Sequence, residues 1–237
     1  MSIQFDLPRG YAGDGVVHKT VTMREMTGEE EDVLSQRKLS MAKRMQKVLV
    51  SCTEKLGEIT EKTALDTAIK ELAVGDRVRL LLGLRVASLG GDYSFEILCG
   101  QCDNRFNGHV DLDSLDVTTG SSADQNTFEA VLPGSGKKVK FHPMTGADEE
   151  KMSTSKLAKE SALSASIMAR VTEVDGEAVT VQVIKKLSMR DRNYLRRRFE
   201  EIEGGVETDI EVSCPKCDTE FKTMVDIGQP GFFFPKE

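Results

Sequence analysis

Tryptophan is absent from this chain, and aromatic residues make up only 5% of its 237 residues. That leaves little with which to stack nucleic-acid bases or sugar rings. The three histidines, His18, His109 and His142, stand in unrelated local settings. No second ligand pattern accompanies them, so none is expected to be catalytic or to bind a metal. Phosphate-cradling GxxxxGK[ST], a GxGxxG after a strand, HExxH and GxSxG are all missing, which removes the common nucleotide, zinc-protease and serine-hydrolase frames. No apolar run approaches the ~20 residues that span a bilayer. The start, MSIQFDLPRG, lacks the basic and apolar stretches of an export signal, so a cytoplasmic protein is expected. A formal net charge of -7 counts against a general nucleic-acid binder.

What is present is a repetition. LCGQCDNRFNGHVDL carries Cys99 and Cys102; SCPKCDTEFKTMVDI carries Cys214 and Cys217. An Asp follows each pair (Asp103, Asp218), then a Phe (Phe106, Phe221) and a Val (Val110, Val225). Upstream, VTMREMTGEEEDVL from Val21 matches VKFHPMTGADEEKM from Val139, and CTEKLGEI matches VTEVDGEA. Asp76-Arg77 matches Asp191-Arg192. The offset is 118 residues from Thr27 to Thr145, 119 from Thr53 to Thr172 and 115 from Asp76 to Asp191. Persistent order and spacing predict two copies of one supersecondary unit, each covering the other's apolar face. The expected fold is α+β: an internally duplicated, pseudo-twofold body of helices and short strands with paired Cys-x-x-Cys zinc-knuckle hairpins.

Five segments are expected. Residues 1–20, with Pro8, Gly10, Gly13 and Gly15, read as an extended N-terminal arm. Residues 21–117 form the first repeat with CGQC. In it a strand over 17–26 leads to a helix capped by Thr27, with Glu29, Glu30 and Glu31 in its first turn, where the helix dipole favours acids. That helix is expected to run on to Cys52, followed by helices from Thr63 and Val74. Residues 118–138 are a linker containing FEAVL as a possible strand and Pro-Gly-Ser-Gly as a hairpin turn. Residues 139–228 repeat the plan with CPKC, and 229–237 form an aromatic tail. The acidic runs EEED and ADEE need no role beyond helix capping.

A structural zinc takes four ligands in a tetrahedron, and each Cys-x-x-Cys turn supplies two. Between Cys102 and Cys214 lie 111 residues, far more than the ~15–20 of a compact zinc ribbon. In a duplicated body, however, equivalent knuckles can meet near the axis. Cys99, Cys102, Cys214 and Cys217 are therefore read as one shared structural zinc site; metal-free knuckles or disulfides are the alternatives. A redox pair would open a helix after a strand, whereas these pairs lie between two strands. Four thiolates also close the shell and leave no open position for catalysis. Cys52, on an apolar helical stretch, is expected to be a buried small hydrophobe. Arg190, Arg192, Arg196, Arg197 and Arg198 make a basic helical stripe. It either pairs with Glu200, Glu201 and Glu203 or, through Arg192, Arg196 and Arg197, docks an acidic partner. Phe232, Phe233 and Phe234 cannot all point one way; some are expected in the core and others as anchors on a partner.

The order of parts carries a resemblance: an LPRGY arm, a MTGEEED-headed helix, a helix reading DRVRLLLGLR, a strand into CGQC, then CPKC and a terminal GFFFP. Over most of its length the chain resembles the T4-type baseplate hub family of contractile-tailed bacteriophages. The resemblance implies a non-enzymatic structural or assembly protein of the tail baseplate, made in the host cytoplasm and located in the virion, with other tail and baseplate proteins as partners; composition and charge predict no nucleic-acid partner and no membrane segment. A zinc-ribbon adaptor binding nucleic acid or transcription proteins is the alternative, disfavoured by net acidity and few aromatics.

Overall fold

The computed structural model of the chain describes residues 2–36, 38–228 and 230–234. In the first half, β1 (Ser2–Gly13) and β2 (Val16–Arg24) lead to α1 (Gly28–Ser35) and α2 (Met41–Cys52). Then come β3 (Thr53–Leu56), α3 (Lys62–Glu71), α4 (Val74–Leu89), β4 (Asp92–Leu98) and β5 (Arg105–Asp111). β6 (Val117–Thr118) leads on to β7 (Phe128–Val131), β8 (Lys138–Phe141), α5 (Gly146–Thr154), α6 (Lys156–Glu160) and α7 (Ala162–Arg170). The second half continues through β9 (Val171–Val174), β10 (Glu177–Ala178), α8 (Val181–Lys186), α9 (Met189–Glu203), β11 (Gly205–Val206), β12 (Asp209–Ser213) and β13 (Glu220–Met224), and α10 (Pro230–Phe233) follows. One antiparallel sheet runs β1-β2-β3 and another β10-β9-β8-β7, while β4 pairs β5, β12 pairs β13 and β6 pairs β11. The fold is α+β. Hairpin, helices, strand, helix pair and closing hairpin follow in that order in both halves. No described helix is long and apolar enough to cross a membrane.

Both expected helix starts are present. Thr27 with Glu30, and Thr145 with Asp148, close reciprocal capping boxes. The single helix expected from Thr27 to Cys52 is instead two: α1 stops at Ser35, and Ser40 caps α2 by accepting from the Lys43 amide. The second half breaks likewise, with Ser161 capping α7 by accepting from the Ser164 amide. Serine competes for backbone donors and so starts helices better than it continues them. Residues 2–13, read as an arm, form an edge strand whose Leu7 is buried in the first core. Phe128–Val131, within the linker, forms the edge strand β7.

Two apolar clusters result. The first collects Val21, Leu49, Cys52, Leu56, Leu65, Leu80 and Leu84 of the first half, and also Val225, Phe232 and Phe233 from the end of the chain. The second collects Phe128, Phe141, Ile167, Ile184, Leu195 and Phe199. The halves are stitched by backbone pairing between Val74 N and Met144 O at 2.8 Å and by the Arg77–Glu149 ion pair at 2.7 Å.

The repeated Asp-Arg pairs do equivalent work. Each Asp is the third residue of its helix and reaches the leading hairpin of its half. Asp76 Oδ1 accepts from the Arg9 and Gly10 amides at 2.7 and 3.1 Å; Asp191 Oδ1 accepts from the Gly134 amide at 2.6 Å. The first case has a clear cause. The β1–β2 register shifts between Asp6 and Tyr11, and a bulge takes amides out of the ladder, so a buried acceptor must replace it. Each Arg donates to a carbonyl eight residues back, Arg77 to Ile69 and Arg192 to Ile184, and to a side chain on an earlier helix, Gln46 or Ser164.

Asp76 is fully buried, and its Oδ2 has no partner among the described residues. Burial pushes this carboxyl up to about 6 against the pull of the Arg9 and Gly10 amides. The folded state therefore holds the proton to higher pH than the unfolded chain, and the stability tied to the neutral acid is lost as pH rises from about 4 through about 6. Asp76→Asn keeps an oxygen for the two amides and carries no charge. It is expected to flatten the fall in stability over that window; denaturant titrations that retain the wild-type slope would refute this.

Candidate metal centre

Each closing hairpin turns at its cysteine pair. In the first, Cys99 N donates to Asn104 O (2.9 Å) and Asp103 N to Cys99 O (3.0 Å). In the second, Cys214 N donates to Thr219 O (3.0 Å) and Asp218 N to Cys214 O (2.9 Å). The residue after each second Cys carries the bend: Asp103 has φ 54° and Asp218 φ 55°. Asp and Asn tolerate this left-handed region better than most side chains do.

The two turns face one another. Cys99 Sγ lies 3.7 Å from Cys217 Sγ, and Cys102 Sγ lies 3.7 Å from Cys214 Sγ. At the 115-residue offset these two contacts exchange, so the local arrangement is twofold. Phe106 and Phe221, equivalent at the same offset, meet edge to face with centroids 6.5 Å apart. All four sulfurs lie within 4.8 Å of one another. A tetrahedron with metal–sulfur bonds of about 2.3 Å has edges of about 3.8 Å, so the four sulfurs lie close enough to hold one ion. All four cysteines are free thiols rather than disulfides. Cys99 and Cys214 are buried and Cys102 and Cys217 partly exposed.

The electrostatics of the cluster point the same way. The Thr219 hydroxyl and backbone amide draw Cys217 down to about 6. Cys102 is pushed up to about 12: the Asn104 amide favours its thiolate, but burial and the three neighbouring sulfurs outweigh it. Four thiolates so close repel one another, and protons are retained to relieve that. A divalent cation would replace those protons and let all four ionise. The donor set and spacing fit a structural thiolate site and are compatible with zinc.

A family described as T4 bacteriophage base plate protein matches residues 2–234. The chain belongs to this family. Comparison with curated proteins and with solved structures gave no match. The baseplate protein thus has a site that joins its two closing hairpins, and the other residues singled out from its sequence lie elsewhere. Phe232 and Phe233 are buried in the first core. Phe232 is edge-on to Tyr93 at 5.2 Å, and its carbonyl accepts from Arg85 Nε at 2.9 Å. Phe234 is 39% exposed; residues 235–237 and Gln229 of the expected tail lie outside the described residues. In the basic stripe, Arg192 turns inward, Arg196 donates to Asn193 and Arg198 pairs with Glu201, while Arg197 and Arg190 are exposed. Sequence reasoning missed Asn104 and Thr219, whose side chains approach Cys214 and Cys217. The Asp shared after each pair was visible, but its backbone role was not.

A β-branched residue in the left-handed region costs about 1–2 kcal/mol. Asp218→Val is expected to lower stability by that amount, and Asp218→Gly to leave it unchanged or raised. Chemical denaturation decides; a valine variant as stable as the wild type would mean that the bend is dispensable.

Proposed function

We propose that this protein is a non-enzymatic structural and assembly component of a phage tail baseplate, in the hub region. In this reading it is an internally duplicated body whose two zinc-knuckle hairpins share one structural zinc on Cys99, Cys102, Cys214 and Cys217. The observation that carries the metal reading is the pair of 3.7 Å sulfur contacts between the two hairpins. The family match over residues 2–234 supports the baseplate role. The repeated element order, the paired capping boxes and the equivalent Asp-Arg contacts support the duplication. Neighbouring tail and baseplate proteins would be engaged by Phe234 and by the exposed side of α9, with Arg196 and Arg197. Phe232 and Phe233 hold the tail to the body so that Phe234 is presented.

One zinc per chain is expected by elemental mass spectrometry with native mass to count chains. Cys214→Ser removes one ligand. Because structural zinc contributes directly to folding, by ~10–16 kcal/mol in small zinc folds, this variant is expected to lose metal and melt at markedly lower temperature. Unchanged metal content and melting temperature in it would overturn the shared site.

Phe234 is the exposed member of the three phenylalanines, and Phe234→Ala is expected to fold and melt close to the wild type but to reduce particle assembly in a complementation assay. Full assembly with this variant would remove the tail from the docking surface.

A further inference from the structure

The side of α4 that carries Gly75 and Leu82 is covered within the chain. Leu82 is fully buried, and Gly75 lies so close to the end of α9 that a Cβ there would sit 2.3 Å from the Gly204 carbonyl oxygen. At the 115-residue offset, α9 carries Arg197 in place of Leu82 and Arg190 in place of Gly75, and both arginines are exposed. They are seven residues apart, two helical turns, and so share a face. Lys185 and Lys186 add two exposed cations at the end of α8. Among the described residues none of these four joins an ion pair. A face that is apolar and covered in one half is therefore basic and open in the other.

The same chain carries the complement. On α1, Glu30 turns inward to Arg24 and Ser51, while Glu29, Glu31 and Asp32 are exposed and join no ion pair among the described residues. We infer that the basic face of α8 and α9 receives the acidic N-terminal half of α1 from a second copy of this chain. This rests on the reading of α9 as a docking surface. The two patches differ, so they pair either reciprocally across a twofold axis in a dimer or head-to-tail in a ring or open chain of copies. A nucleic acid fits the face less well: Glu200 and Glu201 are exposed on the following turn, and Tyr194 packs towards the second core.

Exposed ion pairs are screened within ~10 Å at ordinary salt, so the association is salt-sensitive. Sedimentation of the purified full-length protein at ~100 μM is expected to show assemblies in ~0.05 M salt and at least tenfold weaker association in ~0.5 M salt. Arg190→Glu with Arg197→Glu leaves two acidic patches, and Glu29→Lys with Glu31→Lys and Asp32→Lys leaves two basic ones. Each variant alone is expected to be monomeric with an unchanged melting temperature, and an equimolar mixture to associate again through the patches that each retains. A wild type monomeric at low salt, a mixture that stays monomeric, or binding of a single-stranded DNA oligonucleotide at this face would overturn the inference. Particle assembly with the arginine variant separates the two readings: if assembly fails while the purified wild type is monomeric, the face docks another protein, and only the second-copy inference falls.

Discussion

A two-stranded hairpin is marginal in water on its own, and each half of this chain closes in one. Neither β4–β5 nor β12–β13 joins a larger sheet. Each packs on the first core, through Tyr93, Phe95 and Val110 in one and Ile210 in the other, and they meet at Phe106 and Phe221 and at their cysteine turns. That meeting fixes where the second half ends relative to the first. The strand that leaves the second cysteine turn runs directly into Val225, which is buried in the first core, and on to Phe232 and Phe233 in the same cluster. The end of the second half thus completes the core of the first, and the four cysteines sit where that return begins.

Buried cations do the rest of the joining, each answered by fixed oxygen. Arg9 reaches from β1 to Ser121 Oγ and to the carbonyls of Ser122 and Gln125, so a strand of the first half holds the connection between halves. Arg77 crosses to Glu149. Arg170 meets Glu203 at 2.6 Å, and the same carboxylate accepts from the Met144 amide at 2.7 Å. Arg85, whose pKa burial lowers, donates to the carbonyls of Phe232 and Gly90. A buried charge without partners costs far more than a paired one, so each contact specifies one arrangement of its neighbours. The planar, many-donor guanidinium suits this better than an ammonium would.

Much of this was legible in the residues. Threonine three positions before an acid marked both helix starts, because a capping box needs only local geometry. The cysteine spacing, and the strands on either side of it, announced two hairpin turns, because a tight turn is a local structure too. The recurrence of Asp-Arg at a constant offset from the cysteines marked positions with a shared duty without saying what it was. Its meaning depends on Gly10, Gly134, Gln46 and Ser164, which lie far off in sequence and were placed by packing. The helix breaks at Ser40 and Ser161 were missed because an apolar periodicity continues across them.

The α+β class, the cap positions, the two cysteine turns and the family were readable from the residues alone, since each depends on neighbours a few residues apart or on the order of parts. Tertiary structure alone decided which side chains face outward. Three adjacent phenylalanines divided into two that complete the first core and one exposed. Five arginines on α9 divided into those answered by nearby oxygens and those left to solvent. It also decided that cysteines more than a hundred residues apart stand within 3.7 Å. Burial and proximity are set by the sum of long-range contacts, and no local pattern of residues contains that sum.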